Sequence, residues 1–441
     1  MLSNNYHGDN NMIQELRIKN FRSFKDEVVF SFEACKDTSF EDSYVVTMKD
    51  GARLLRFATV FGANASGKSN LLEAFDFLRH FWKSKPKDAD ESTDVEPFLL
   101  DSETSREPSL FYLKFYVGET RYAYKLKIDA SAVYEEQLNV YTSVQPSTLF
   151  SRMLDENEKS VIKFNSSLKL NDLTEQEIAL RCLKNTSLLA VINTVNSSFG
   201  RLEEARNELC GHIMPTIGPL THMLSFAERR MVDDNDLRDY LLGFIRKADF
   251  NILNVSIEKN KEEIPERFRK LLLSDSEVSD DAKKKLQSQN FFESLNTQFE
   301  HEVKNARGVE TYSMTEDQQS RGTQRVLGIE AAIQESIKTQ SFLAIDEMET
   351  SLNPILLDFV LQSFLLEKSS SQLLITSHYD GLLNRVDKYI RKDSVWFAEK
   401  RDDGSTMIYS LNGVRGVNKM RNLQKRYEEG SLVNAYPHIS E

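Results

Sequence analysis

The chain has 441 residues with 56 Lys and Arg against 68 Asp and Glu, a formal net charge of −12, and that length calls for a main domain with an inserted or appended lobe. The acidic balance argues against a constitutive, non-specific DNA coat, because phosphate neutralisation dominates such binding, although a local basic groove stays open. No apolar run reaches the roughly 20 residues of a membrane span, and Cys35, Cys182 and Cys210 have neither disulfide-framework nor zinc spacing.

Residues 1–11 are polar, lack the apolar core of a secretory signal and read as a disordered extension, with Met12 as an alternative start. Together with the sparse cysteines this predicts a protein of the reduced cytoplasm, with no membrane partner. Met12–Phe32 alternates apolar and polar residues on both sides of Asn20 and predicts a strand pair. Leu54–Phe61 is nearly continuous in apolar character, as a strand covered on both faces would be. From Ser69, the residues Leu71, Leu72, Phe75 and Leu78 recur at helical spacing.

Residues 83–109, with Pro86, Pro97 and Pro108, predict a long surface loop. A hairpin of Leu110–Tyr116 and Arg121–Ile128 around Gly118 follows, then a strand at Glu135–Tyr141. From Asp155 to Arg307 the pattern is mostly helical and polar, broken at Pro215, Gly218 and Pro219, with no heptads for a coiled-coil arm. Strand character returns near Thr311, a helical face covers Val326–Ile337, and Phe342–Ile345 and Leu373–Thr376 are short apolar strands. The expected fold is α/β, a mixed sheet with flanking helices. Its head is split between 12–154 and 308–441, and 155–307 form a mainly helical insertion.

The strongest chemical signal is Gly62-Ala63-Asn64-Ala65-Ser66-Gly67-Lys68-Ser69, a complete P-loop pattern between a buried-type strand and an amphipathic helix. Its glycines let successive N–H groups point at phosphate oxygens, and the helix N-terminus adds a favourable field. Lys68, expected to be exposed in an empty site, would reach the β- and γ-phosphates, and the Ser69 hydroxyl would ligate Mg²⁺. Asn70, next on the helix, is grouped with the nucleotide-binding residues. Phe342–Ile345 ends in Asp346 and Glu347. Asp346 suits Mg²⁺, directly or through water, and Glu347 suits the orienting or deprotonation of an attacking water. A strand ending in two carboxylates is common by itself, and its pairing with the P-loop gives it weight. His378 ends the next apolar strand and in isolation would be structural.

Together the P-loop, Asp346-Glu347, Ser351-Leu352-Asn353-Pro354 and Thr376-Ser377-His378 resemble the ABC/SMC-like ATPases, whose compact members include RecF and the overcoming-lysogenization-defect ATPases. Leu16-Arg17-Ile18-Lys19-Asn20-Phe21-Arg22-Ser23-Phe24 resembles the opening strand motif of that group. The resemblance implies ATP and Mg²⁺ as cofactors, His378 as the switch histidine that senses the γ-phosphate, and Met348–Leu352 as the loop crossing a dimer interface. It further implies a head-to-head homodimer, open to larger assembly, with ATP sandwiched against a signature loop of the opposite subunit. Ser320-Arg321-Gly322 is the candidate loop: Ser320 and Gly322 match, and Arg321 stands where the family has its first glycine. A polar helix N-cap is the alternative for Ser320. The family's glutamine loop is expected in or beside the loop before Leu110.

Pro97–Asp101, Glu107-Pro108-Ser109, Asp393–Lys400 and Asn422–Tyr427 narrow the resemblance to the AbiLi and RloA-like abortive-infection ATPases. That likeness implies phage defence with a separately encoded effector such as a nuclease. The 63 residues after His378 are expected to be too few for a TOPRIM nuclease domain of the sort fused to overcoming-lysogenization-defect proteins. Arg415, Lys419, Arg421, Lys425 and Arg426 form a basic tail, read either as a solvated face or as a contact for a partner protein or nucleic acid. Three functional readings remain open: an ATP-driven switch, a RecF-like ATP-dependent clamp on DNA, and a non-hydrolysing ATP-bound scaffold. The intact Asp346-Glu347 pair speaks against the last.

Overall fold

The computed structural model describes residues 10–248, 251–274, 280–288, 291–417, 420 and 422–432; most of the expected N-terminal extension, Lys419 and Arg421 lie outside them. β1 (Met12–Lys19) and β2 (Val28–Ser31) form the expected antiparallel pair around Asn20. After α1 (Glu41–Tyr44), β3 (Val45–Thr47) and β4 (Arg53–Leu55) make a short ribbon. The single strand expected over Leu54–Phe61 is in fact two, because β5 (Phe57–Phe61) starts beyond Arg56 in another sheet. Arg56 is buried and donates to the carbonyls of Ser43 and Glu367 and to the Ser369 hydroxyl, at 3.0, 2.6 and 2.9 Å. A buried guanidinium must find such acceptors, and Arg56 finds them at the point where the chain passes between sheets.

α2 (Lys68–Phe81) buries Leu71, Leu72, Phe75 and Leu78 as the periodicity predicts. The loop that follows is fastened rather than free. Asn20 Nδ2 donates to the carbonyls of Thr104 and Glu107 at 2.8 and 2.7 Å, and its Oδ1 accepts from the Phe98 N–H at 2.9 Å. The opening motif and the Pro97–Ser109 motif are therefore one physical unit.

β6 (Ser109–Val117), β7 (Thr120–Ile128), β8 (Val133–Tyr141), β9 (Ser147–Leu154) and β10 (Ser160–Phe164) complete a seven-stranded sheet of order β10-β9-β8-β7-β6-β1-β2. The head sheet thus continues past residue 154. Behind it, Glu136 and Arg152 form an ion pair at 3.2 Å with both side chains fully buried. Arg152 also donates to the carbonyls of Leu183 and Lys184, while Glu136 accepts from Tyr124, Ser187 and the Leu188 N–H. The pair clamps the turn between α3 (Asp172–Arg181) and α4 (Leu188–Ile192) onto the sheet. Arg152→Ala is expected to cost about 3–5 kcal/mol, because Glu136 is left charged and unpaired. A Glu136→Leu, Arg152→Met double variant should recover only part of that loss in a thermal melt, because the Tyr124 and Ser187 hydroxyls, the Leu188 N–H and the two carbonyls then lose their partners.

α5 (Arg201–His212) precedes the last segment of this compact unit, which runs up to Leu220 and resumes at Glu335–Thr350 and from Val360 onward. Residues 155–220, expected within the insertion, fold with the head. The other unit comprises Thr221–Gln334 and Ser351–Phe359. It contains α6 (Leu224–Asp233), α7 (Asn235–Ala248), β11 (Ile252–Glu263), α8 (Glu266–Ser274), α9 (Asp280–Ser288), β12 (Phe291–Asn305) and β13 (Gly308–Thr315). Helices predominate, but β11, β12 and β13 form an antiparallel sheet whose charged exposed positions hid it in the sequence.

α10 (Arg321–Thr339) leads to β14 (Phe342–Ile345), then α11 (Pro354–Leu366), β15 (Gln372–Ser377), β16 (Val395–Lys400), β17 (Thr406–Ser410) and α12 (Leu423–Glu428). The second head sheet has the order β14-β15-β5-β16-β17, parallel except at β17. Bridges from Ile213 to Phe342 and from Ile217 to Ile345 cover the β14 edge. That contact ties the end of residues 155–220 to the head, as β10 and the Glu136–Arg152 clamp tie its beginning: an edge of four buried residues needs cover. On α12, Leu423 and Tyr427 are buried and Lys425 pairs with Glu429 at 3.6 Å, the pattern of a solvated basic face.

Candidate functional site

The strand order brings distant residues together. β15 lies between β5 and β14, with Ser377 opposite Phe61 and Ile375 opposite Ile345. The residues leaving these parallel strands at their carboxyl ends are Gly62, Asp346 and His378. Open α/β sheets place their ligands at that end.

Two glycines of the P-loop are required by space. A Cβ on Gly62 would lie 2.4 Å from the Ala398 carbonyl oxygen, and one on Gly67 would lie 2.2 Å from Thr406 Oγ1 and 2.5 Å from Ser23 Oγ. Gly67 also has φ 93°, and Ala65 turns the loop with φ 59°. Thr406 Oγ1 lies 2.8 Å from the Ser66 carbonyl, and Asn70 Nδ2 donates to Ser23 Oγ at 2.7 Å. Ser23 and Thr406 therefore brace the loop. Ser23 stands inside the opening motif, whereas nothing near Thr406 in sequence announces it.

Lys68 is 4% exposed, contrary to the expectation that it is open to solvent. Its Nζ donates to the carbonyls of Gly62 and Ala63, both at 2.9 Å, and lies 3.5 Å from His378 Nδ1. Burial pushes the ammonium down to about 8 against the opposing pull of Asp346, Glu347 and Glu349. The loop's carbonyls fold over the amine, and no apolar pattern foretells that.

At the acidic end, Thr376 serves two masters. Its hydroxyl donates to Asp346 Oδ1 and accepts from the Glu347 N–H at 2.8 Å. The Asp346 N–H donates to the Ile217 carbonyl at 2.8 Å. Glu347 has φ 46°, a left-handed conformation uncommon outside glycine, and strain of that kind clusters at functional sites. Glu347 Oε1 lies 3.2 Å from His378 Nε2, and the side chains are 38% and 32% exposed, so water reaches both. Glu349 accepts from the His378 N–H and thereby fixes where the ring starts.

Ser320 and Gly322 lie on the other compact unit. Ser320 Oγ accepts from the Thr323 N–H at 3.1 Å, so the hydroxyl caps α10. A Cβ on Gly322 would lie 2.7 Å from the Ser351 carbonyl oxygen, which makes glycine a packing requirement there. The expected glutamine loop fails on the sequence itself, since no glutamine occurs between Gln14 and Gln137.

The donor set fits a Mg²⁺ nucleotide. Among the described residues no group of three or more His, Cys, Asp and Glu could hold a metal. Mg²⁺ in nucleotide sites is instead held by one or two protein oxygens together with phosphate and water, which Asp346 and Ser69 can supply. The buried Ser66 hydroxyl has no partner, so the loop holds an orphaned donor that a phosphate oxygen would satisfy. Among the described residues no helix is long and apolar enough to cross a membrane.

Comparison with known proteins follows the same span. The model of a family described as "AAA domain, putative AbiEii toxin, Type IV TA system" matches residues 57–384, from the first residue of β5 to just past His378. No curated protein sequence matches the chain. Among solved structures, the SMC head domain from Thermotoga maritima is 13% identical with a TM-score of 0.40, covering 90% of this chain and 98% of that one. An Smc head bound to the C-winged helix domain of ScpA is 12% identical with a TM-score of 0.42, covering 92% and 99%. A Pyrococcus furiosus Smc head with an extended coiled coil, bound to the C-terminal domain of ScpA, is 11% identical with a TM-score of 0.38, covering 93% and 99%. Since the family match spans most of the chain and takes in the P-loop, both carboxylates and the histidine strand, the chain belongs to this AbiEii-type AAA domain family.

Proposed function

We propose that the chain is an ATP-hydrolysing switch of an abortive-infection type of phage defence, acting in the cytoplasm on a separately encoded effector. The observation that supports the ATPase is the meeting of Lys68, Asp346, Glu347 and His378 at adjacent strand ends. The backbone from Gly62 to Ser69, with Asn70 behind it, cradles the phosphates, and Lys68 exchanges two carbonyls for the β- and γ-phosphates. Ser69 and Asp346 would hold Mg²⁺, which supplies neutralising charge on the phosphate oxygens. Glu347 orients a water toward the γ-phosphorus and takes its proton as the bond to the ADP oxygen breaks. His378, between Glu347 and Lys68, registers the γ-phosphate. Direct measurement of nucleotide binding and phosphate release by the purified chain tests this reading. A folded protein that binds no ATP ends it.

The switch requires a second copy, in which Ser320 and Gly322 reach the γ-phosphate held by the first. A capped helix N-terminus still presents free N–H groups to an anion, so the cap and this role are compatible. Ser320→Asp keeps the cap but sets a negative charge against phosphate. It is expected to leave ATP binding nearly intact and abolish turnover. Mixing it with Lys68→Ala should restore part of the activity, because each heterodimer then holds one sound site. No recovery despite subunit exchange would remove the trans-acting loop.

The narrower likeness to AbiLi and RloA-like ATPases supports the effector. A second reading is favoured by the family description, in which a chain of this type is itself the toxin of a toxin–antitoxin pair. Expression with and without the neighbouring gene, followed by phage challenge, separates the two. Protection only with the neighbour supports the effector; toxicity alone that the neighbour relieves supports the toxin.

A further inference from the structure

The second compact unit carries a pocket that the ATPase chemistry does not use. It encloses about 390 Å³ between α6 and the β11–β12 ribbon, lined on α6 by Ser225, Glu228, Arg229 and Asp233 and opposite by Lys259, Leu295 and Glu316. That volume lies within the usual range for small-ligand sites. Its floor is Glu228, 3% exposed, whose Oε1 is buried without a hydrogen-bond partner. The neighbouring Thr297 hydroxyl is likewise buried and outside bonding geometry, yet near enough to favour the charged carboxylate. Burial raises the Glu228 carboxyl above its ordinary range and the Glu316 charge adds to the rise, while the Thr297 hydroxyl and, more weakly, Arg229 oppose it.

A buried carboxyl oxygen without a donor in bonding geometry is costly even with a hydroxyl nearby, and two carboxyls facing one space favour a cation between them. The pocket's own cations do not serve. Lys259 Nζ is 4.0 Å from Asp233 Oδ1, and Arg229 is exposed. Leu295 and Val232 offer apolar wall beside the carboxyls, which suits an aliphatic stem.

We propose that this pocket binds a guanidinium or ammonium group on an aliphatic stem, with Glu228 and Glu316 as its counter-charges. The site stands apart from the nucleotide chemistry and does not depend on it. The chemistry is shared by an arginine or lysine side chain of a protein partner and by a free alkylamine, and the test distinguishes them.

Isothermal titration of the full chain with agmatine, spermidine and a short arginine-containing peptide is the experiment. At least one probe should bind, and Glu228→Gln should weaken it roughly ten- to hundredfold, the effect of losing a charge-assisted hydrogen bond. Glu316→Gln should weaken it less, and Arg229→Ala should tighten it by removing the competing cation. A thermal melt and an ATP titration of Glu228→Gln, both expected to match wild type, separate loss of this site from unfolding or failure of the nucleotide site. Binding of the peptide alone assigns the pocket to a partner's side chain, and binding of the free amines alone assigns it to a small cation. The proposal is overturned if no probe binds at millimolar concentration, or if the Glu228→Gln protein binds as tightly as wild type.

Discussion

Lys68→Ala is expected to lower ATP affinity roughly a hundredfold or more, the effect of losing charge-assisted bonds to two phosphates, without destabilising the empty protein. The second half of that result follows from where the lysine sits. Its amine is nine-tenths removed from water, donates to two neutral carbonyls, and is pushed down to about 8 by burial. A buried ammonium held this way is poised for an anion and poorly served without one, as functional sites often are. Lys68→Met, which keeps the bulk and drops the charge, should melt at or above the wild-type temperature while binding ATP no better than Lys68→Ala. Nucleotide titration beside a thermal melt measures both. A well-folded Lys68→Ala protein with wild-type ATP affinity would remove the P-loop assignment. A large loss of stability in Lys68→Met would show instead that the ammonium holds the empty loop in shape.

The contrast between what the sequence predicts and what the structure adds is one of distance along the chain. The P-loop, the β14 strand with its two carboxylates and the β15 strand with its histidine are local patterns, each readable within about ten residues. Their meeting follows from the parallel order β14-β15-β5, which no local pattern states. Thr406 touches the P-loop from β17, and Ser23 touches it from the turn after β1. A hydroxyl that braces a loop from so far away leaves no periodicity behind. Arg56 breaks a run that looks like one strand because its acceptors lie beyond α11. The β11–β12 ribbon reads as a charged helical stretch because its exposed positions are nearly all polar. Residues 155–220 are held to the head by β10 in the first sheet, by the Glu136–Arg152 clamp and by the bridges of Ile213 and Ile217 to β14, all of them pairings between distant segments.

Glu347→Gln is expected to bind ATP with near wild-type affinity and hydrolyse it roughly a hundred to ten thousand times more slowly, the usual worth of a positioned general base. The substitution leaves the local frame alone. The Glu347 N–H still donates to Thr376 Oγ1, and glutamine tolerates the left-handed backbone at φ 46° no worse than glutamate does. What changes is the oxygen 3.2 Å from His378 Nε2, which loses its charge and its capacity to take a proton. Removing an interaction felt mainly in the transition state lowers turnover without lowering ground-state affinity. If ATP closes two heads on each other, the variant should accumulate as an ATP-bound pair, seen as a doubling of mass by light scattering that ADP does not produce. His378→Ala separates the two partners in that contact. It should slow turnover less than Glu347→Gln, because the carboxylate remains to receive the proton. Should Glu347→Gln hydrolyse ATP at the wild-type rate, the base lies elsewhere, and Glu349, already bonded to the His378 N–H, is the next carboxylate to replace.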